Sequence, residues 1–180
     1  TNIEYKTARE QKSPRVEGML AAGDQLAELD AATRNSQDPY LLLWHWTNNT
    51  NEQAREQFTA LEGQPVLEEP ELQLALGGIY AKSAPQKAIT LMHHALSLYG
   101  EGDKVNSRIL TALSTLYMGQ KAFDLAYQWG KVSESFQETP EVSSTRLGIY
   151  HAIGKEQQER LDQAAATIVE ALRQGSYQAP

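Results

Sequence analysis

LALGGIYAKSAPQKAITLMHHALSL, Leu74 to Leu98, is the stretch whose reading decides the fold. Glu69-Pro70 before it is a helix start, with proline at the first helical position, and that helix should run to about Lys82. Ser83, Ala84 and Pro85 turn the chain, and Pro85 to Tyr99 reads as a second helix stopped by Gly100 and Gly102. Tyr80 stands near the end of the first helix. Ala88 follows eight residues later, Met92 one turn after that, and Ala95 on the next turn. This is the pattern of two crossing helices: the crossing point admits only a small side chain, a large ring fills the space beside it, and flanking positions bury apolar residues against the next pair.

The same pattern recurs outward in both directions. Upstream, Asp38-Pro39 opens a helix to about Thr47, the cluster Asn48-Asn49-Thr50-Asn51 turns, and Glu52 to Leu61 is helical until Gly63 and Pro65. Downstream, Asp103 to Met118 and Lys121 to Phe136 form a pair split at Gly119. Thr139-Pro140 opens a last pair, Glu141 to Ile153 and Lys155 to Arg173, split at Gly154, with Gly175 before a loose tail. Trp46, Tyr80, Tyr117 and Tyr150 recur at spacings of 34, 37 and 33 residues, each expected to face the core. Ala54 and Ala126 take the place of Ala88, and Phe58 and Trp129 that of Met92. Ahead of these units, Ser13-Pro14 reads as the start of a leading helix carrying Val16, Met19, Leu20, Gly23, Leu26, Ala27 and Leu29 to about Arg34, after a polar opening at Thr1 to Lys12. No alternating strand pattern stands out, so the expected class is all-α.

A period near 34 residues with these motifs resembles the tetratricopeptide repeat. The likeness covers Asp38 to Leu172 and is closest at Leu76-Gly77, Tyr80, Ala88, Met92 and Ala95. It implies an α-solenoid of antiparallel helix pairs, a right-handed superhelix of about nine helices, in which residues 1–37 pack on four pairs within one structural domain. It also implies a non-enzymatic scaffold for a protein or peptide partner. Two departures mark the sequence. The first two units are one residue short in the inter-helix turn, and the last carries Glu159 where alanine is expected, with Ala164 to Ala166 further on, as a divergent capping unit would. A second likeness rests on Arg15-Val16-Glu17-Gly18-Met19-Leu20 and on Asp38-Pro39-Tyr40 with Trp44-His45-Trp46. It is to a functionally uncharacterised gammaproteobacterial family of predicted lipoproteins. That resemblance implies an export signal and a lipid-bearing cysteine upstream, hence the bacterial cell envelope or periplasm; a cytoplasmic location is the alternative.

Bulk composition narrows the chemistry. The 180 residues are 41% hydrophobic and 22% charged, which suits a folded domain. A net charge of −7 argues against a nucleic-acid partner. The longest apolar run, Leu41 to Trp46, is far short of the roughly 20 residues of a membrane span. With no cysteine, disulfides, thiolate catalysis and iron–sulfur clusters are excluded. The chain opens at Thr1 and reads as a fragment or a mature form.

No motif calls for a cofactor, a metal or a catalytic residue. Of His45, His93, His94 and His151, no two have the four-residue helical spacing of a metal pair. His93 and His94 point about 100° apart, so one should lie at a boundary and the other in solvent. Glu68, Glu69 and Glu71 surround a helix start, where they offset the macrodipole, and Glu156, Glu159 and Asp162 form a similar acidic first turn. Leu76-Gly77-Gly78 lacks the Lys-Ser/Thr of a phosphate loop, so its glycines are expected to permit close packing. Ser133, Ser135, Ser143 and Ser144 read as helix ends and caps. Asn48-Asn49-Thr50 matches a glycosylation sequon in a turn already rich in asparagine.

Surface remains the candidate. First helices of stacked pairs line the concave side. Helical geometry places Tyr40, Trp44, Thr47 and Asn48 there in the first unit, and Glu71, Leu74, Gly78 and Lys82 in the second. Arg108, Thr111, Thr115 and Met118 follow in the third, then Glu141, Ser144, Gly148 and His151. Tyr40 and Trp44 could anchor apolar side chains of a peptide whose backbone Thr111 and Thr115 bond, or they could pack under the leading helix. In the second case the groove is self-occupied and the domain is a spacer or oligomer interface. Tetratricopeptide domains that hold a carboxylate terminus use Lys and Asn where this chain has Leu74, Gly78, Thr111 and Thr115, so that function is not expected.

Overall fold

The structure, a computed structural model, describes residues 2–137 and 143–180, and only the backbone for 2–13. The described residues hold nine α-helices and no strand: α1 (Asn2–Thr33), α2 (Pro39–Asn49), α3 (Glu52–Ala60), α4 (Pro70–Tyr80), α5 (Pro85–Ser97), α6 (Ser107–Gly119), α7 (Phe123–Glu134), α8 (Ser144–Tyr150) and α9 (Lys155–Arg173). A 3-10 turn at Pro65–Leu67 leads into α4. The chain divides into two compact units, Thr1–Ala60 and Leu61–Pro180.

Side-chain caps from Asp38, Asn106 and Ser143 mark the starts of α2, α6 and α8. Asp38 accepts bonds from the Tyr40 and Leu41 amides ahead of Pro39, as expected at an N-terminus whose first turn has orphan donors. The third pair starts later than its sequence suggests. Asn106 caps α6 through the Arg108 amide, while the carboxylate of Asp103 accepts from the Gly100 amide and shapes the preceding loop. In the first unit α1 runs straight through Pro14 instead of starting at Ser13, forgoing the one backbone bond that proline cannot donate. Thr139-Pro140 and Glu141, read as the start of the last pair, lie outside the described residues.

The small-residue crossings are present. Ala54, Ala88 and Ala126 are 3%, 0% and 0% exposed, and Phe58, Met92 and Trp129 are equally sealed. Short connections fold α3 onto α2, α5 onto α4 and α7 onto α6, and α5 packs in turn on α6. A Cβ on Gly77 would lie 2.6 Å from the Met92 Cε and 3.5 Å from the Ala88 carbonyl, so this glycine does permit close approach; Gly78 faces open space. In the next pair Ser114 occupies the equivalent place and donates to the Ala126 carbonyl at 2.8 Å. We expect Ala126→Leu to destabilise this unit by about 1–3 kcal/mol, read from urea unfolding, because no void receives the added carbons. A neutral result would show that the crossing is looser than its burial suggests.

The last pair departs from the pattern. Tyr150, expected in the core, is 81% exposed. The close contact is made instead at Gly148, where a Cβ would meet Tyr127 at 3.3 Å and Gln158 at 3.0 Å. Two residues further on, a helix has turned about 200°, so Tyr150 points away. Tyr127 supplies the ring that Tyr150 does not, packing with Ile153 and Leu161, and α9 lies against α7. Glu159 is exposed, as its charge requires at a place where the other pairs have alanine.

Candidate functional site

In the first unit Tyr40, Trp44, Thr47 and Asn48 fall on one face of α2 by their spacing of three and four residues. Tyr40 is 44% exposed, Trp44 is half-buried, and Thr47 and Asn48 are exposed. Thr47 and Asn48 donate to the carbonyls of Leu43 and Trp44, so their hydrogens are already used within the helix. On α1, Val16, Met19 and Leu20 are themselves 52%, 75% and 65% exposed, which weighs against their covering Tyr40 and Trp44.

A polar cleft of about 340 Å³ in the same unit is lined by Asp30, Arg34, His45, Asn49 and Asn51. His45 is buried, with Nδ1 3.0 Å from the Asp30 carboxylate and Nε2 3.1 Å from the Thr33 hydroxyl. Asn49 also donates to Asp30. The Arg34 guanidinium, bonded at 2.8 Å, is the main cause that holds the Asp30 carboxyl below its usual range. These contacts tie the end of α1 to α2, and they are one thing the sequence reading did not find. An Asp at the end of one helix and a His fifteen residues on carry no recognisable motif.

In the second unit Lys82, Arg108 and Thr115 are exposed and Thr111 and Met118 are half-buried. Arg108, Thr111, Thr115 and Met118 share one face of α6 by spacing. Thr111 is committed to its neighbours: its hydroxyl meets Ser133 at 3.2 Å and accepts from Gln137 at 3.1 Å. Thr115 donates to the Thr111 carbonyl. The Thr115 hydrogen is therefore used within the helix, whereas in the Thr111–Ser133 pair either hydroxyl can be the donor. Ser144 is buried and bonded to Glu134, and His151 stacks on Phe123 at 3.7 Å, so both serve packing rather than a groove. Glu141 lies outside the described residues. Among the described residues no three His, Asp or Glu side chains converge as a metal site needs.

One cluster was not foreseen at all. His93 is 5% exposed, with Nε2 2.9 Å from the Tyr117 hydroxyl and Nδ1 2.6 Å from that of Tyr177. Its ring meets Trp129 edge-on at 5.2 Å. A neutral imidazole has one donor and one acceptor, so one phenol donates to it and the other accepts from it. Burial pushes the His93 pKa down to about 4 and raises both phenols. The tail expected to be loose is therefore seated. Its neighbour His94 instead sits half-exposed with Nε2 2.7 Å from Glu68.

The profile of a family described as protein of unknown function (DUF2989) matches residues 1–131. The chain belongs to the DUF2989 family. The DUF2989 match spans α1 to α6 and most of α7, and so includes the α2 face, the Asp30–His45 cleft and three members of the aromatic cluster, but not Tyr177. No curated protein and no solved structure matches the chain. No helix among the described residues is long and apolar enough to cross a membrane.

Proposed function

We propose that this chain is a non-enzymatic, tetratricopeptide-like scaffold that captures a protein or peptide partner, with Tyr40 and Trp44 as the anchor. The observation that supports this reading is the α2 face itself: two aromatic rings one helical turn apart, the first 44% exposed, in a unit whose sealed core is elsewhere. Large rings with a polar tip and few rotatable bonds are the residues that dominate protein interfaces. Within the second unit, Lys82 after α4 and Arg108, Thr115 and Met118 on α6 are further candidate surface residues.

Photo-crosslinking from position 40 tests the proposal. A single defined adduct is expected, reduced at least about tenfold by Trp44→Ala at unchanged helical circular dichroism. An adduct indifferent to Trp44→Ala, or none, removes the proposal. The oligomer-interface reading is favoured by a different observation, the row Val16, Met19, Leu20, Leu26 and Leu29 on α1, all more than half exposed. Sedimentation tests it, since a chain that stays monomeric at high concentration removes the oligomer-interface reading. The likeness to predicted lipoproteins supports an envelope location for the full gene product. Cell fractionation that finds it only in the cytosol would overturn that.

A further inference from the structure

The segment after α9 is held at two points. Gly175 adopts a left-handed φ of 62°. It sits so close to the loop before α6 that a Cβ would lie 2.2 Å from the Glu101 nitrogen and 2.3 Å from the Gly100 carbonyl carbon. The Ser176 amide donates to the Ala171 carbonyl at 2.9 Å, a bond that turns the chain off the helix end. Tyr177 then enters a recess between α5, α6 and α7. Its ring lies within 13° of parallel to the imidazole of His93 and stands edge-on to Trp129 at 6.2 Å. Ser176, Gln178, Ala179 and Pro180 are all exposed, so beyond Gly175 the Tyr177 ring is the one side chain of the segment that is partly buried.

We propose that the recess walled by His93, Tyr117 and Trp129 is a binding site for the phenol of a tyrosine in an extended peptide, and that Tyr177 occupies it in cis. The walls come from three helices in contact with one another, α5 with α6 and α6 with α7, and the occupant reaches His93 and Trp129 by its ring. The recess selects the hydroxyl as well as the ring. Among the described residues His93 Nδ1 is bonded to the Tyr177 oxygen at 2.6 Å, so a phenylalanine in its place would remove that partner from a buried ring nitrogen. A tyrosine-bearing peptide from elsewhere competes with a tethered occupant whose effective concentration is of millimolar order. The site is separate from the α2 face and does not depend on it.

The test uses the full chain carrying Tyr177→Ala and the synthetic peptide Gly-Ser-Tyr-Gln-Ala-Pro, followed by NMR of labelled histidines. Saturable movement of the His93 signals is expected, with a peptide holding phenylalanine in place of tyrosine about tenfold weaker. One holding alanine should have no effect. The unaltered chain should respond only at concentrations above its tethered competitor. Trp44→Ala should leave all of this unchanged, which keeps the result distinct from the fate of the α2 anchor. A folded Tyr177→Ala chain that ignores the tyrosine peptide, or takes the phenylalanine peptide equally well, overturns the proposal. If Tyr177→Ala unfolds, the unaltered chain is titrated with the same peptide carrying fluorotyrosine. A bound fluorine resonance supports the site, and its absence at tens of millimolar overturns it.

Discussion

Trp129→Ala lowers the stability of the Leu61–Pro180 unit by about 3–5 kcal/mol, more than any surface change in the chain. The indole is 3% exposed and belongs to the core cluster that also holds Ile109, Leu110, Leu113 and Val132. Its removal opens a cavity that rigid helices cannot close and strips His93 and Tyr177 of a ring contact. In a unit of this size the loss corresponds to a fall in melting temperature of roughly 10–20 °C. Calorimetry checks it. A loss below about 1 kcal/mol would mean that the ring lies at a surface and that the packing described for α5, α6 and α7 is wrong.

The second large effect is acid destabilisation through His93. In the folded unit its pKa is down to about 4, whereas the unfolded chain has the ordinary 6.5. As the pH falls below 6.5, the unfolded state takes up a proton that the folded state refuses, so stability declines until about pH 4 and His93 adds nothing further below that. The two limits bound the loss at about 3 kcal/mol. The groups facing the imidazole are the phenols of Tyr117 and Tyr177 and the indole of Trp129, none of which titrates in that window. Glu62, held below its usual range through its bonds to Lys87 and Tyr80, acts lower. Its stabilising contribution is present above 4.5 and is lost as the pH falls through its folded value. His93→Gln keeps a donor and an acceptor between the phenols but does not titrate. Urea midpoints between pH 6.5 and 4.5 should fall for the parent chain and stay nearly level for the variant. Equal slopes would place the titration elsewhere.

The helix pairs were legible because crossing helices impose a local rule. Ala54, Ala88 and Ala126 had to be small wherever their partners approached, and the proline starts at Pro39, Pro70 and Pro85 announced themselves in the same few residues. The rule failed in the last pair, where the aromatic expected from its own first helix is replaced by Tyr127 from the preceding one, a substitution in space that no period records. The leading helix was misplaced for the opposite reason. Judged alone, Pro14 suits a first helical position far better than an interior one, yet α1 runs through it. Of the candidate surface, the α2 face was readable from spacing. Thr111 was not, because its bonds cross to Ser133 on α7 and to Gln137 beyond that helix's end. The aromatic cluster was beyond reach for the same reason, since its members have no fixed separation in sequence.

That separation governs how the second unit assembles. Most of its helix contacts join neighbours in the chain, α4 with α5 and α6 with α7, and such contacts form early because little loop entropy opposes them. The bond between His93 and Tyr177 joins residues 84 apart and has a surface to land on only when α5, α6 and α7 are already together. Refolding should therefore end with a distinct late step in which the indole of Trp129 gains its last neighbour, while helix content has already reached its final value.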